Sequence, residues 1–353
     1  MPMFRLIVVA LLLLPLTQLQ AAPRKLSKEV QERVKAAQKA DPAAQYRLGL
    51  DFRAGEGGLP KDPAQAYKWI HQAALGNLAP AQFTAGQMDQ AGEGPPRKGA
   101  LAEAVDWYRK AAKQNYMPAI LALASMLRHG EGAAVDLAGA ANLYRTAADR
   151  NDVPSQLLMG QLYARGEGVF RNLTDSAVWY RRAAQLGNAE GRFRLALILL
   201  GNEPLGGLKT LTQRDAHHPT HDSREAVMWL HLACEQNYAP AQYALAMSIW
   251  GGITQPFDGG QALSLLLLAG DQGYVPALRK LAEFYGNGRV VAKDPGRALM
   301  YLELADQLSA TQNPLGVNFI PTKERDDLQR DLQPTQQQAA KKRAQEWLQS
   351  HGL

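Results

Sequence analysis

A double alanine recurs through this chain at a nearly constant interval. Ala73-Ala74, Ala111-Ala112, Ala147-Ala148 and Ala183-Ala184 are followed, with altered second members, by Ala233-Cys234, Ala269-Gly270 and Ala305-Asp306. Successive first alanines stand 38, 36, 36, 50, 36 and 36 residues apart. A period in this range marks one supersecondary unit repeated along the chain, each copy burying its apolar face against its neighbours. The seven copies, over residues 41–309 of the 353, therefore form one continuous stack, and they exceed the ~3 that stability requires.

The columns of the repeat have physical meanings. Four residues before each first alanine stand Trp69, Trp107, Leu143, Trp179, Trp229, Leu265 and Tyr301. Three before it stand Ile70, Tyr108, Tyr144, Tyr180, Leu230, Leu266 and Leu302, and seven before it Ala66, Ala104, Ala140, Ser176, Ala226, Ala262 and Ala298. Large and small residues at this spacing form one apolar stripe on a helix, the small ones permitting close approach of a neighbour. Eleven before it stand Asp62, Ala100, Asp136, Asn172, Asp222, Asp258 and Asp294. All but Ala100 are side chains suited to cap a helix start. Asn172-Leu173-Thr174 matches a glycosylation sequon, but the cap explains its asparagine more simply.

Each copy has an upstream first helix. Its small column begins at Ala44, Ala81, Ala119, Ser155, Gly191, Ala241 and Ala277. Eleven residues further on stand Gly55, Gly92, Gly130, Gly166, Asn202, Gly252 and Gly288, where a left-handed helix end favours Gly or Asn. The recurring Gly-Glu-Gly is thus a turn between two helices. Glu56, Glu93, Glu131 and Glu167 recur as turn residues and do not converge as catalytic groups must.

The stretch MGQLYARGEGVFRNLTDSAVWYRRAAQLGNA resembles the Sel-one-like repeat, a relative of the tetratricopeptide repeat. The resemblance is specific in the first four copies and drifts in the turns of the last three. It implies an all-α fold, a right-handed α-α superhelix or solenoid, that scaffolds or tethers other proteins, in bacteria often in the cell envelope. It also implies that the first helices line the concave binding face, and it implies no particular reaction. Some secreted members pair cysteines within each repeat and are linked to β-lactam binding. This chain has one cysteine, Cys234, so that branch does not transfer, and the thiol reads as a small buried apolar group.

Residues 1–21 carry Arg5, an apolar run from Leu6 to Leu14 and small residues at Ala21-Ala22, the pattern of a secretory signal peptide cleaved after Ala21. The run is shorter than a membrane-spanning helix, so no span is expected after cleavage, and the mature protein is expected in the periplasm or outside the cell. Residues 22–40 read as a worn-down second helix capping the stack, 41–309 as the seven copies, and 310–353 as a connector followed by two polar helices. The formal charge of +6 is spread over many faces without a nucleic-acid stripe, leaving an acidic polysaccharide or another anionic surface as a conceivable partner.

The 50-residue spacing places an insertion at 203–221, between the helices of copy five. It holds His217, His218 and His221, weak candidates for a metal because their spacing matches no zinc motif. No metal or other cofactor is expected. The column nine residues into each first helix reads Arg53, Gln90, Arg128, Ala164, Leu200, Trp250 and Gly286. Its polar character places Trp250 at the surface, half-exposed near Phe257 as a candidate interface anchor, with Arg53 and Arg128 as cations for the same protein or peptide partner. Cover by the C-terminal helices is the alternative for Trp250. The chain lacks Gly-x-Ser-x-Gly, His-Glu-x-x-His, Ser-x-x-Lys and Cys-x-x-Cys. The expected function is a non-enzymatic, exported protein-binding scaffold; alternatives are a polysaccharide- or peptidoglycan-binding module and a metal-dependent enzyme built on the histidine loop.

Overall fold

The computed structural model describes residues 26–96, 98–201, 222–252, 258–312 and 322–352. The apolar N-terminal run, the insertion with its histidines, and Phe257 lie outside the described residues. Among those described there are 17 helices and no strand. The chain divides into two compact units between Val135 and Asp136.

The first unit contains α1 (Lys28–Gln38), α2 (Pro42–Ala54), α3 (Pro63–Leu75), α4 (Ala79–Ala91), α5 (Ala100–Lys113) and α6 (Met117–His129). The second contains α7 (Leu137–Ala148), α8 (Val153–Arg165), α9 (Leu173–Gln185), α10 (Ala189–Leu199), α11 (Ser223–Cys234), α12 (Ala239–Trp250), α13 (Gly259–Asp271), α14 (Val275–Asn287), α15 (Pro295–Gln312), α16 (Thr322–Arg330) and α17 (Pro334–Ser350). Within each unit consecutive helices pair and stack. The even-numbered helices α2 to α14 are the first helices of the seven copies, and α3 to α15 the second.

The capping column does what its chemistry suggests. Asp62, Asp136, Asn172, Asp222 and Asp258 each accept first-turn N–H groups of the following helix, and Asp294 accepts from the Arg297 N–H at 2.9 Å. At Ala100 the cap is the preceding Gly99, with φ 84°. Gly55, Gly92, Gly130, Gly166 and Gly288 close their helices in the left-handed conformation. In copy six the closing residue is Gly251, and Gly252 follows it with φ 60°.

The double alanine has a second role that its size does not reveal. The carbonyl of the first alanine accepts the N–H that ends the left-handed turn, as in Asp152 to Ala147 (3.2 Å), Asn188 to Ala183 (3.1 Å) and Tyr274 to Ala269 (3.1 Å). The carbonyl of the second accepts a buried glutamine from the next first helix: Gln82 Nε2 to Ala74 (3.2 Å) and Gln156 Nε2 to Ala148 (3.1 Å). Gln45 makes the same bond to Ala37 (3.2 Å), and Arg192 Nε replaces it at Ala184 (3.4 Å). Each of these carbonyls also accepts a turn N–H, as Ala74 does from Asn77 and Ala148 from Asn151 (3.1 Å each), so the side chain uses its second lone pair and ties the helix end to the next copy.

Close approach sets the helix spacing in copies one, two and four. Gly49, Gly86 and Gly160 lie beneath Ile70, Tyr108 and Tyr180, and a Cβ there would stand 2.5–2.7 Å from the nearest side-chain atom. In the last three copies the same column is Ala196, Ala246 and Ala282, and the opposing residue shrinks to Leu230, Leu266 and Leu302. The insertion in copy five is bracketed by a bond common to other copies. Asp222 N–H donates to the Leu199 carbonyl (3.0 Å), as Asp62 does to Phe52, Asn172 to Tyr163 and Asp294 to Tyr285.

At the C-terminus α17 docks on α15 and buries Ala340 and Ala344. Trp347 and Leu348 join a cluster with Leu278, Leu304 and Leu308, so these few anchors suffice to seat the helix.

Candidate partner-binding site

In the first unit the first-helix surface opens into a groove of about 510 Å³. Arg53 of α2, Phe83, Gln87 and Gln90 of α4, Tyr108 of α5, and Pro118 and Ala122 of α6 line it, with Glu93 from the turn of copy two. Gln87, Gln90 and Pro118 are exposed, whereas Phe83 is half-buried and Tyr108 is buried.

A polar network fixes the lining. Arg53 Nη2 donates to Glu93 Oε1 at 2.6 Å. Tyr108 Oη donates to Gln90 Oε1 at 2.9 Å, and Gln90 Nε2 donates to Glu131 Oε2 at 3.2 Å. Burial, and after it the Asp89 carboxylate, push the Tyr108 phenol up to about 12, so it remains a neutral donor. Phe83 sits between Tyr108 and Tyr116, with ring centroids 5.7 and 5.6 Å away.

The turn glutamates therefore do more than fill a turn. Their N–H groups close the helix ends, Glu93 to Met88 (2.9 Å) and Glu131 to Met126 (3.0 Å). The carboxylates of Glu93 and Glu131 each reach the preceding copy at the column of Arg53 and Gln90. Sequence reading missed this link, although the shared register of the two columns signals it.

Of the residues singled out from sequence, Arg53 lies on the groove in the first unit. Arg128, in the same column of α6, is half-buried. Trp250 belongs to the second unit. It is half-buried, its ring 4.6 Å from that of the fully buried Phe284, with Lys280 Nζ 5.7 Å from its centroid. The column changes character along the chain: Ala164 and Leu200 are 3 % and 7 % exposed, so a position polar in the first copies is apolar packing later.

Asp89 is a residue that sequence reading passed over. Its column is otherwise Phe52, Leu127, Tyr163, Leu199, Ile249 and Tyr285, so one carboxylate in an apolar series is the available signal. Its side chain is fully buried, accepts from Tyr67 Oη at 3.1 Å and lies 3.3 Å from His71 Nε2. His71 stacks on Tyr67 at 3.9 Å and meets Trp107 edge-on at 5.6 Å. Among the described residues no three His, Cys, Asp or Glu side chains gather in a metal-binding group. Cys234 is a partly buried free thiol, pushed up to about 12 by burial and then by Glu235. No described helix is long and apolar enough to cross a membrane.

These features define an α-solenoid of paired helices carrying a surface groove. The Sel1 repeat model matches residues 42–78, 79–116, 118–152, 153–188, 218–238, 239–274 and 275–305, and the chain belongs to that family. As a Sel1 repeat protein it is a helical scaffold of a kind that generally mediates protein–protein interaction. A Sel1 repeat protein from Oxalobacter formigenes is 25% identical over 74% of this chain and 96% of its own, with a TM-score of 0.53. A protective antigen of uropathogenic Escherichia coli strains displaying an SLR fold is 25% identical, covering 91% of this chain and 79% of its own, with a TM-score of 0.40. An immunity protein from Pseudomonas aeruginosa is 23% identical over 69% of this chain and 88% of its own, at a TM-score of 0.36. No curated protein matches this chain.

Proposed function

We propose that this protein is an exported, non-enzymatic adaptor of the bacterial cell envelope that holds a protein segment in the groove between α4 and α6. The observation that carries this reading is the composition of the groove. Side-chain amides of Gln87 and Gln90 offer donors and acceptors to a polypeptide backbone, while the half-buried Phe83, backed by the buried Tyr108, offers apolar area. Arg53 and Glu93 hold each other in place at its rim, so little ordering is left to be done on binding. Export rests on the N-terminal pattern of Arg5, the Leu6–Leu14 run and Ala21-Ala22.

The tryptophan column argues against a sugar platform. Trp107 and Trp179 are 8 % and 7 % exposed, with Lys110 and Arg182 over their rings at 4.0 and 4.5 Å. A saccharide ring therefore finds neither face free.

The test is site-specific photocrosslinking in the native cell. A photoreactive side chain at Gln87 should trap one protein species that the same group at Leu75, exposed but outside the groove, does not. Equal trapping at both sites, or retention on cell-wall polysaccharide alone, refutes the adaptor reading. N-terminal sequencing of the mature chain should begin after Ala21; a retained Met1 refutes cleavage.

A further inference from the structure

Phe170 stands 95 % exposed in the turn between α8 and α9. At the matching turn position of copy one, Leu59 folds back and packs with Val34 against Ala37, Ala44 and Leu48. Phe170 does not fold back, and its turn is held firmly. Gly166 and Gly168 are both left-handed, and a Cβ on Gly168 would stand 2.2 Å from the Leu137 carbonyl oxygen. Arg171 Nε donates to the Ala164 carbonyl at 3.0 Å, and Asn172 caps α9. The ring is thus presented to solvent by a fixed backbone.

Beside it lies an open cleft of about 910 Å³, lined by Leu137, Ala138, Arg145, Tyr163, Val169 and Asp175. This volume falls in the range of clefts that bury a ligand group, ~300–1,000 Å³. Phe170 itself forms part of the cleft wall, and Asn142 and Asn172 add polar groups to it, so an apolar knob and a cleft of mixed polarity share one surface. The cleft also carries charges of both signs, Arg145 from α7 and Asp175 from α9. Arg145 donates to Tyr163 Oη at 2.7 Å and Asp175 accepts from Asn172 Nδ2 at 2.8 Å, which fixes both side chains and leaves each further hydrogen-bonding capacity.

We propose that this face joins two copies of the chain about a two-fold axis, Phe170 of each entering the cleft of the other and Arg145 of each facing Asp175 of its mate. A two-fold contact requires a self-complementary patch, and knob beside cleft with cation beside anion meets that requirement. A held aromatic entering a pocket is the usual anchor of such an interface. None of these residues lines the groove between α4 and α6, so the inference is independent of the adaptor reading.

Sedimentation velocity on the full mature chain tests it. The wild type sediments as a dimer, and Phe170→Asp raises the dimer dissociation constant on the order of 30-fold or more. Far-ultraviolet circular dichroism stays unchanged in this variant, because the side chain is exposed. Arg145→Glu alone dissociates the dimer, and adding Asp175→Arg restores it by re-forming the pair with reversed signs. A monomeric wild type, a dimer indifferent to Phe170→Asp, or failure of the reversed pair to restore association overturns the proposal. Should Arg145→Glu unfold through loss of its bond to Tyr163, Phe170→Asp decides the matter by itself.

Discussion

Gly160→Ala is the most searching test of how the copies are spaced. The added methyl would stand 2.6, 2.7 and 2.8 Å from three ring atoms of Tyr180, a residue with 0 % exposure. Overpacking of this kind costs about 1–3 kcal/mol. Alanine returns about 1 kcal/mol through its higher helix propensity. A net loss of up to about 2 kcal/mol is therefore expected. The last three copies show how the chain avoids the conflict, by opposing alanine with leucine. Tyr180→Leu should accordingly cost about 2 kcal/mol alone, through the volume it removes. In the Gly160→Ala background it should cost little or nothing, because the clash is gone and the propensity gain remains. The coupling between the two sites should reach at least ~1.5 kcal/mol, within the span seen for residues in direct contact. Urea unfolding of the four proteins, followed by far-ultraviolet circular dichroism, gives the cycle. Additive effects, or a Gly160→Ala variant more stable than wild type, would show that this glycine does not set the spacing.

Three further outcomes follow from the same structure. Trp250→Ala should destabilise the protein by about 1–3 kcal/mol in urea unfolding, because the half-buried indole packs on Phe284; unchanged stability would show that this contact contributes nothing to the fold. Gln156→Leu removes the side-chain donor to the Ala148 carbonyl, which keeps the Asn151 N–H, and should cost about 0.5–1.5 kcal/mol in the same assay, whereas Gln87→Leu in the groove should cost almost nothing. Burial raises the phenols of Tyr108, Tyr238 and Tyr243 from 10.0 to about 12. Each favours the folded state below the ordinary phenol pKa and loses that contribution as pH rises through the folded value. Thermal stability should therefore fall between pH 10 and about 12, with the ultraviolet phenolate signal appearing together with unfolding; full phenolate titration in a protein that stays folded would contradict it.

The repeat, its register and most of its caps were legible in the sequence, because they depend on groups close along the chain. Asp222 or Asn172 bonds to N–H groups two and three residues away, and Gly166 needs only its own backbone freedom. The alanine columns were legible too, since their spacing alone puts them on one face of one helix. Contacts between copies were not. Glu93 reaches Arg53 across 40 residues and Glu131 reaches Gln90 across 41, so the same glutamates read as turn residues until the stack brought them to their partners. Trp250 shows the same dependence. Its column is polar in the early copies, but its packing depends on what the next first helix presents, and there Phe284 and Lys280 lie against an indole that stays half-buried. Phe170 is the converse: its position in the turn matches that of Leu59, which turns inward in copy one, yet its ring stands in solvent. Local hydrogen bonding and periodicity made the repeat, whereas the fit of each copy to the next decided which of its side chains are core and which are surface.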